Sequence, residues 1–182
     1  MLLALLWAGA AAADETVSIC FNYGCVSQAE VVFSEPRLTE VRERLLRADS
    51  AVAERAILAQ VVGQLYRWAG EQSPISADRA GDYLDDGVYG MMDCIDHAES
   101  TTRLLTMLEG RGLLRFHAVD PIRRRVRWLV AQHFSAVIRE RTDDVPEAGP
   151  RFVVDSWFGE HGDPAVVLPL EDWLDGEGPN VS

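Results

Sequence analysis

The chain has no lysine. All 17 of its basic residues are arginine, so no side-chain amine is present to form a Schiff base or to accept an acyl group. Positive charge is scarce as a whole. Against 29 acidic residues it leaves a formal net charge of −12 over 182 residues, with a pI of about 4.7. That balance argues against nucleic-acid binding, which needs a cationic surface to face phosphates, and against attraction to anionic membranes. Cysteine is also rare, with three residues, too few for a scaffold stapled by disulfides. Long apolar runs are missing beyond the first 13 residues, and that stretch is too short to span a bilayer, so no integral membrane protein is expected.

What is present suits one folded domain. Hydrophobic residues make up 48% and charged residues 25%, enough apolar side chain to fill a core and too little charge for a disordered tail. Residues 1–13 are alanine-rich and end Ala11-Ala12-Ala13 before Asp14-Glu15. They read as the apolar region and cleavage site of a secretory signal, with a buried N-terminal helix as the alternative. The expectation is a signal peptide over 1–13 and a single domain over 14–182, exported to a bacterial periplasm. Cys20 and Cys25 flank the turn residues Asn22 and Gly24. Either a hairpin brings them into disulfide range, leaving Cys94 as the odd thiol, or all three stay reduced and buried.

Residues 36–71 carry apolar residues at a 3.6-residue period with a break near Asp49-Ser50, which predicts one long helix or a helical hairpin. A short helix over 76–84, capped by Ser76, follows. Asp93 is a good N-cap for a helix to about Glu109, with Asp96 at the capping-box position and Gly110 and Gly112 ending it. Beyond Gly112 the texture turns to strands: 113–119, 125–131, 133–140, 151–157 and 165–168, with a turn at Asp120-Pro121. Helices first and a strand meander afterwards predict an α+β fold, with N-terminal helices on an antiparallel sheet.

Three residues in this layout carry chemistry. Cys94 opens the predicted helix, His133 opens a strand 39 residues later, and Asp155 lies 22 residues further on at the end of the next strand. A thiol at a helix start, an imidazole and a carboxylate are the parts of a cysteine nucleophile, its base and the residue that orients the base. The helix start favours thiolate, while Asp93 and Asp96 oppose it. The Cys94 N–H would face a developing oxyanion. Gln64, Trp68 and Tyr89 are candidates for the second donor, and the sequence does not choose among them. Trp157 follows Asp155 by two and so shares its side of the strand, a candidate substrate contact.

Asp-Cys opening a helix, His starting a strand and Asp closing the next strand before Ser156-Trp157 resemble the transglutaminase-like fold of the papain-like superfamily. The bacterial transglutaminase-like cysteine proteinases, with a similar Asp-Cys-x-Asp segment, are the nearest in kind. The resemblance covers roughly residues 92–157. It implies a papain/transglutaminase-like core, Cys94 as nucleophile, His133 as base and Asp155 as orienter. It also implies that no cofactor is required, with calcium as an optional ligand of Asp93 and Asp96. The expected activity is a thiol hydrolase or acyl transferase acting on peptide or protein amides. The alternative is an inactive domain of the same fold that binds a protein or cell-envelope partner. A zinc site from Cys94, His97, His133 and Asp155 is the weaker reading, because no second tight ligand pair is present.

Overall fold

The computed structural model describes residues 13–81, 87–127, 131–142 and 148–179. Most of the expected signal segment, 1–12, lies outside them. Two strands, β1 (Glu15–Phe21) and β2 (Ser27–Phe33), form an antiparallel hairpin. The two sulfurs of Cys20 and Cys25 are bonded across its end. Helices α1 (Glu35–Leu45) and α2 (Ala51–Gly70) follow. They are separated at the expected break, where the Ser50 hydroxyl accepts the Ala53 N–H and starts α2. Next comes α3 (Cys94–Gly110). Then β3 (His117–Arg127), β4 (Ala131–Glu140), β5 (Arg151–Asp155) and β6 (Val166–Pro169) make one antiparallel sheet in that order. The fold is α+β with two antiparallel sheets, as the order of periodicities suggests. No helix among the described residues is long and apolar enough to cross a membrane.

The strand pleat divides the sheet's residues between two layers. Ala136, Ile138 and Val154 face α3 and join Leu104, Leu105 and Leu108 in the main core. Val137 and Val153 point the other way, where a short helix, α4 (Leu170–Asp175), covers them with Leu170 and Trp173. That helix is not expected from the sequence. Pro169 leads into it and Gly176, at φ 104°, ends it.

Three local expectations are corrected. The runs 113–119 and 125–131, of which 128–130 lie outside the described residues, are not two strands parted by a turn. His117 to Arg127 is one strand whose register shifts between Asp120 and Arg123. The Asp120 carboxylate, bound by Arg139 Nε at 3.0 Å and Arg151 Nε at 2.7 Å, fixes that irregularity inside the sheet. Residues 113–116 stay outside the strand, because the N–H groups of Arg115 and Phe116 go to the buried Glu54 carboxylate. Glu54 also binds His117 Nδ1, so His117 belongs to a structural cluster. Finally, the helix expected from Ser76 is a 3-10 turn, Pro74–Ala77, preceded by Ser73, whose hydroxyl donates to the Ala69 carbonyl and does not cap the turn. Asp78 leaves the turn to bind elsewhere, and residues 82–84 lie outside the described part.

Candidate active site

Asp93 starts α3 as expected. Its Oδ1 accepts the Ile95 and Asp96 N–H groups at 3.0 and 2.9 Å, and Asp96 Oδ2 accepts the Asp93 N–H at 3.1 Å. This is a full capping box. It puts Cys94 on the first helical residue, 8% exposed, against Trp157, Phe158, Ile95 and Phe134.

Sheet register brings the other two residues together. Ala136 pairs with Val154, so one step on Ser135 falls opposite Asp155, and His133 is its diagonal neighbour on the same face. His133 Nε2 lies 2.7 Å from Asp155 Oδ2, and both side chains are buried. Trp173 Nε1 donates to the same oxygen at 3.1 Å, and the Trp157 N–H donates to Oδ1 at 3.2 Å. The ring of His133 is boxed in by Trp157, Phe158 and Trp173, with centroids 4.8, 5.3 and 5.7 Å away. With Nε2 tied to the carboxylate, the ring is oriented. Its Nδ1 is buried with no hydrogen-bond partner among the described residues. Cys94 packs in one cluster with Phe134, the residue next to His133 in the chain, and the Phe134 N–H lowers the pKa of its thiol. The thiol and the open imidazole nitrogen therefore border the same short piece of β4.

Burial pushes the Cys94 thiol up to about 11, and the charges of Asp93 and Asp155 add to this, against the Phe134 N–H and the cysteine's own N–H. The expected thiolate-favouring effect of the helix start is outweighed, because two carboxylates and a dry apolar wall surround it. At neutral pH the resting sulfur is a thiol.

The remaining candidates are distributed as follows. Gln64 donates to Glu40 at 2.7 Å and accepts from Arg44, both on α1. Trp68 lies under the Arg37 guanidinium, 5.0 Å from its ring centre. Both therefore face residues of α1. Tyr89 is 68% exposed and meets Phe21 edge-on. Trp157 is 2% exposed, a wall of the site. His97 is held at both nitrogens, Nε2 by Asp78 at 2.9 Å and Nδ1 by Ser156 at 2.8 Å, so the four-residue zinc set is not assembled. Asp78 Oδ1 accepts the Met92 N–H at 2.9 Å, which ties the chain before Cys94 to the same cluster.

Asp93 and Asp96 do not fit a calcium site. Asp96 is fully buried, and its oxygens accept N–H groups of Tyr23, Cys25 and Asp93. Asp93 Oδ2 accepts the Gly24 N–H at 3.0 Å. Calcium takes six to eight oxygens from open carboxylates and water, and these oxygens already face backbone donors. Burial and the charge of Asp93 raise the Asp96 carboxyl to about 6. The group of metal-type donors found among the described residues, Cys20, Cys25 and Asp96, has its two sulfurs bonded to each other.

Sequence reasoning missed Trp173 as a ligand of Asp155, and the hairpin loop as a partner of Asp93 and Asp96. A tryptophan needs a partner for its indole N–H when buried, but nothing in the sequence directs it to an aspartate 18 residues away. No protein-family model, no curated protein and no solved structure matches the chain.

Proposed function

We propose that the protein is a cysteine hydrolase or acyl transferase acting on peptide or protein amides, with Cys94 as nucleophile, His133 as base and Asp155 as orienter, on a papain/transglutaminase-like core. The observation that carries the reading is the state of His133. One nitrogen is bound to a buried carboxylate, and the other has no partner among the described residues, next in the chain to Phe134, whose N–H lowers the Cys94 thiol pKa. A buried imidazole nitrogen without a partner is costly in a structural role and is what a general base requires.

In this mechanism the Cys94 thiol proton moves to His133 Nδ1 as Sγ attacks the substrate carbonyl carbon. Asp155 accepts the Nε2–H throughout and stabilises the imidazolium. Because the resting thiol is raised to about 11, attack and proton transfer are coupled, and a preformed ion pair is not the starting state. The Cys94 N–H, which lies against its own sulfur, is one oxyanion donor. His133 returns the proton to the leaving amine, and water or an acceptor amine then resolves the thioester. The disulfide fits an oxidising compartment such as the bacterial periplasm.

A second reading has its own observation. Cys94 is 8% exposed and its thiol is raised, which suits an inactive domain that binds a protein or envelope partner. Labelling by a peptide carrying a carbonyl electrophile separates the two. General-base help is worth roughly 10²–10⁴-fold, so His133→Ala should slow labelling of Cys94 by at least about 10²-fold. Equal labelling in both proteins would overturn the catalytic reading and favour the binding domain.

A further inference from the structure

The loop that closes the β1–β2 hairpin faces α3. The Cys20–Cys25 bond, with Cα atoms 4.6 Å apart, makes it a ring. Asn22, Tyr23, Gly24 and Cys25 all have φ between 58° and 65°, and three of the four are not glycine. This left-handed course directs successive N–H groups at the start of α3. Tyr23 and Cys25 donate to the two oxygens of Asp96 at 2.8 and 2.6 Å, and Gly24 donates to Asp93 at 3.0 Å. Asn22 adds two bonds on the other side of Cys94: its N–H to the Met91 carbonyl at 2.8 Å, and its side-chain oxygen to the Gly90 N–H at 2.8 Å. The ring therefore grips the chain immediately before and immediately after Cys94, and Asp96 is the buried acceptor at its centre.

We propose that Asp96, seated in this disulfide-closed loop, is a positioning residue for Cys94, and that cleavage of the Cys20–Cys25 bond by an external dithiol releases the nucleophile's helical turn. The inference rests on Cys94 being the reactive group. The dithiol's thiolate attacks one sulfur to give a mixed disulfide, and its second thiol displaces the protein sulfur. Two electrons and two protons pass to Cys20 and Cys25, and the reductant leaves as a cyclic disulfide. Cys25 is partly exposed and offers the point of attack. Once open, the loop has no reason to keep its left-handed course. Its N–H groups then leave Asp93 and Asp96, and the first turn of α3 opens more often.

The test is the rate at which iodoacetamide modifies Cys94 at neutral pH, read by peptide mass on the full chain. The proteins are oxidised wild type, dithiol-reduced wild type freed of reductant, Cys20→Ser/Cys25→Ser, Asp96→Asn, and the triple variant. Losing even one bond to a charged group is worth about tenfold, so Cys94 should react at least about tenfold faster in the reduced and double-serine proteins, and faster in Asp96→Asn. The triple variant should be no faster than its faster parent, because both changes remove the same contacts. Amide exchange at Val137 and Val153, in the middle of the sheet, should be unchanged. Three results would each overturn the proposal: a Cys94 rate within about twofold of the oxidised protein, multiplicative effects in the triple variant, or a gain accompanied by faster exchange at Val137 and Val153. His133→Ala lowers Cys94 reactivity but leaves its dependence on the disulfide, so failure of the triad and failure of the loop give different patterns.

Discussion

Asp155→Asn tests the hydrogen-bond inventory at the centre of the site. The carboxylate, 2% exposed, accepts three donors: His133 Nε2 at 2.7 Å and Trp173 Nε1 at 3.1 Å on Oδ2, and the Trp157 N–H at 3.2 Å on Oδ1. Asparagine keeps the shape but offers an acceptor at one position only. If its oxygen takes the Oδ2 place, its NH₂ meets the Trp157 N–H, and one buried donor pair is unsatisfied at about 1–3 kcal/mol. The two surviving bonds also change from a charged to a neutral acceptor, at about 1 kcal/mol each. The reversed amide is worse, because it places NH₂ against two donors and forces the His133 proton onto Nδ1, where it blocks the base. The expected loss is therefore about 3–5 kcal/mol, within the 5–15 kcal/mol typical of a domain, so the variant still folds. Urea unfolding should show a lower midpoint with an unchanged slope. A loss below about 1 kcal/mol would refute the claim that all three donors depend on this carboxylate.

In His133→Ala, which lacks the base and leaves thiolate as the reacting form, alkylation of Cys94 should rise about tenfold per pH unit between pH 7 and 10, since the thiol is raised to about 11; a plateau below pH 9 in that variant would contradict that environment. Glu54→Ala should cost about 3–6 kcal/mol, because the Arg115 and Phe116 N–H groups and His117 Nδ1 lose a fully buried acceptor; thermal melting measures it, and an unchanged melting temperature would refute the role of that cluster. Chelators and added calcium should leave the melting temperature unchanged, because the oxygens of Asp93 and Asp96 face backbone N–H groups. A calcium-dependent rise would show that the hairpin loop yields those oxygens to the metal.

The capping box of Asp93 and Asp96 and the break at Ser50 are local matters. Both depend on residues within a few positions, so periodicity and capping chemistry in the sequence were sufficient to determine them. The same texture announced strands after Gly112; the bounds of the first strand, His117–Arg127, were set by contacts with the distant Glu54, Arg139 and Arg151. The disulfide was half legible: two cysteines around a turn put bonding within reach, and only the closed hairpin decided it. The pairing of His133 with Asp155 depends on strand register. Spacing could propose it, but the Ala136–Val154 pairing had to put both on one face of the sheet. Other features were decided by tertiary structure alone. Trp173 reaches Asp155 because α4 folds back over the sheet. Gln64 and Trp68 are turned to α1 because α2 buries a different stripe against α3. Asp93 and Asp96 are caps gripped by a loop some 70 residues earlier in the chain. The acidity of Cys94 follows the same rule. Its place at a helix start is written in the sequence, but burial depends on what the rest of the chain stacks against it, and at this site burial outweighs the helix start.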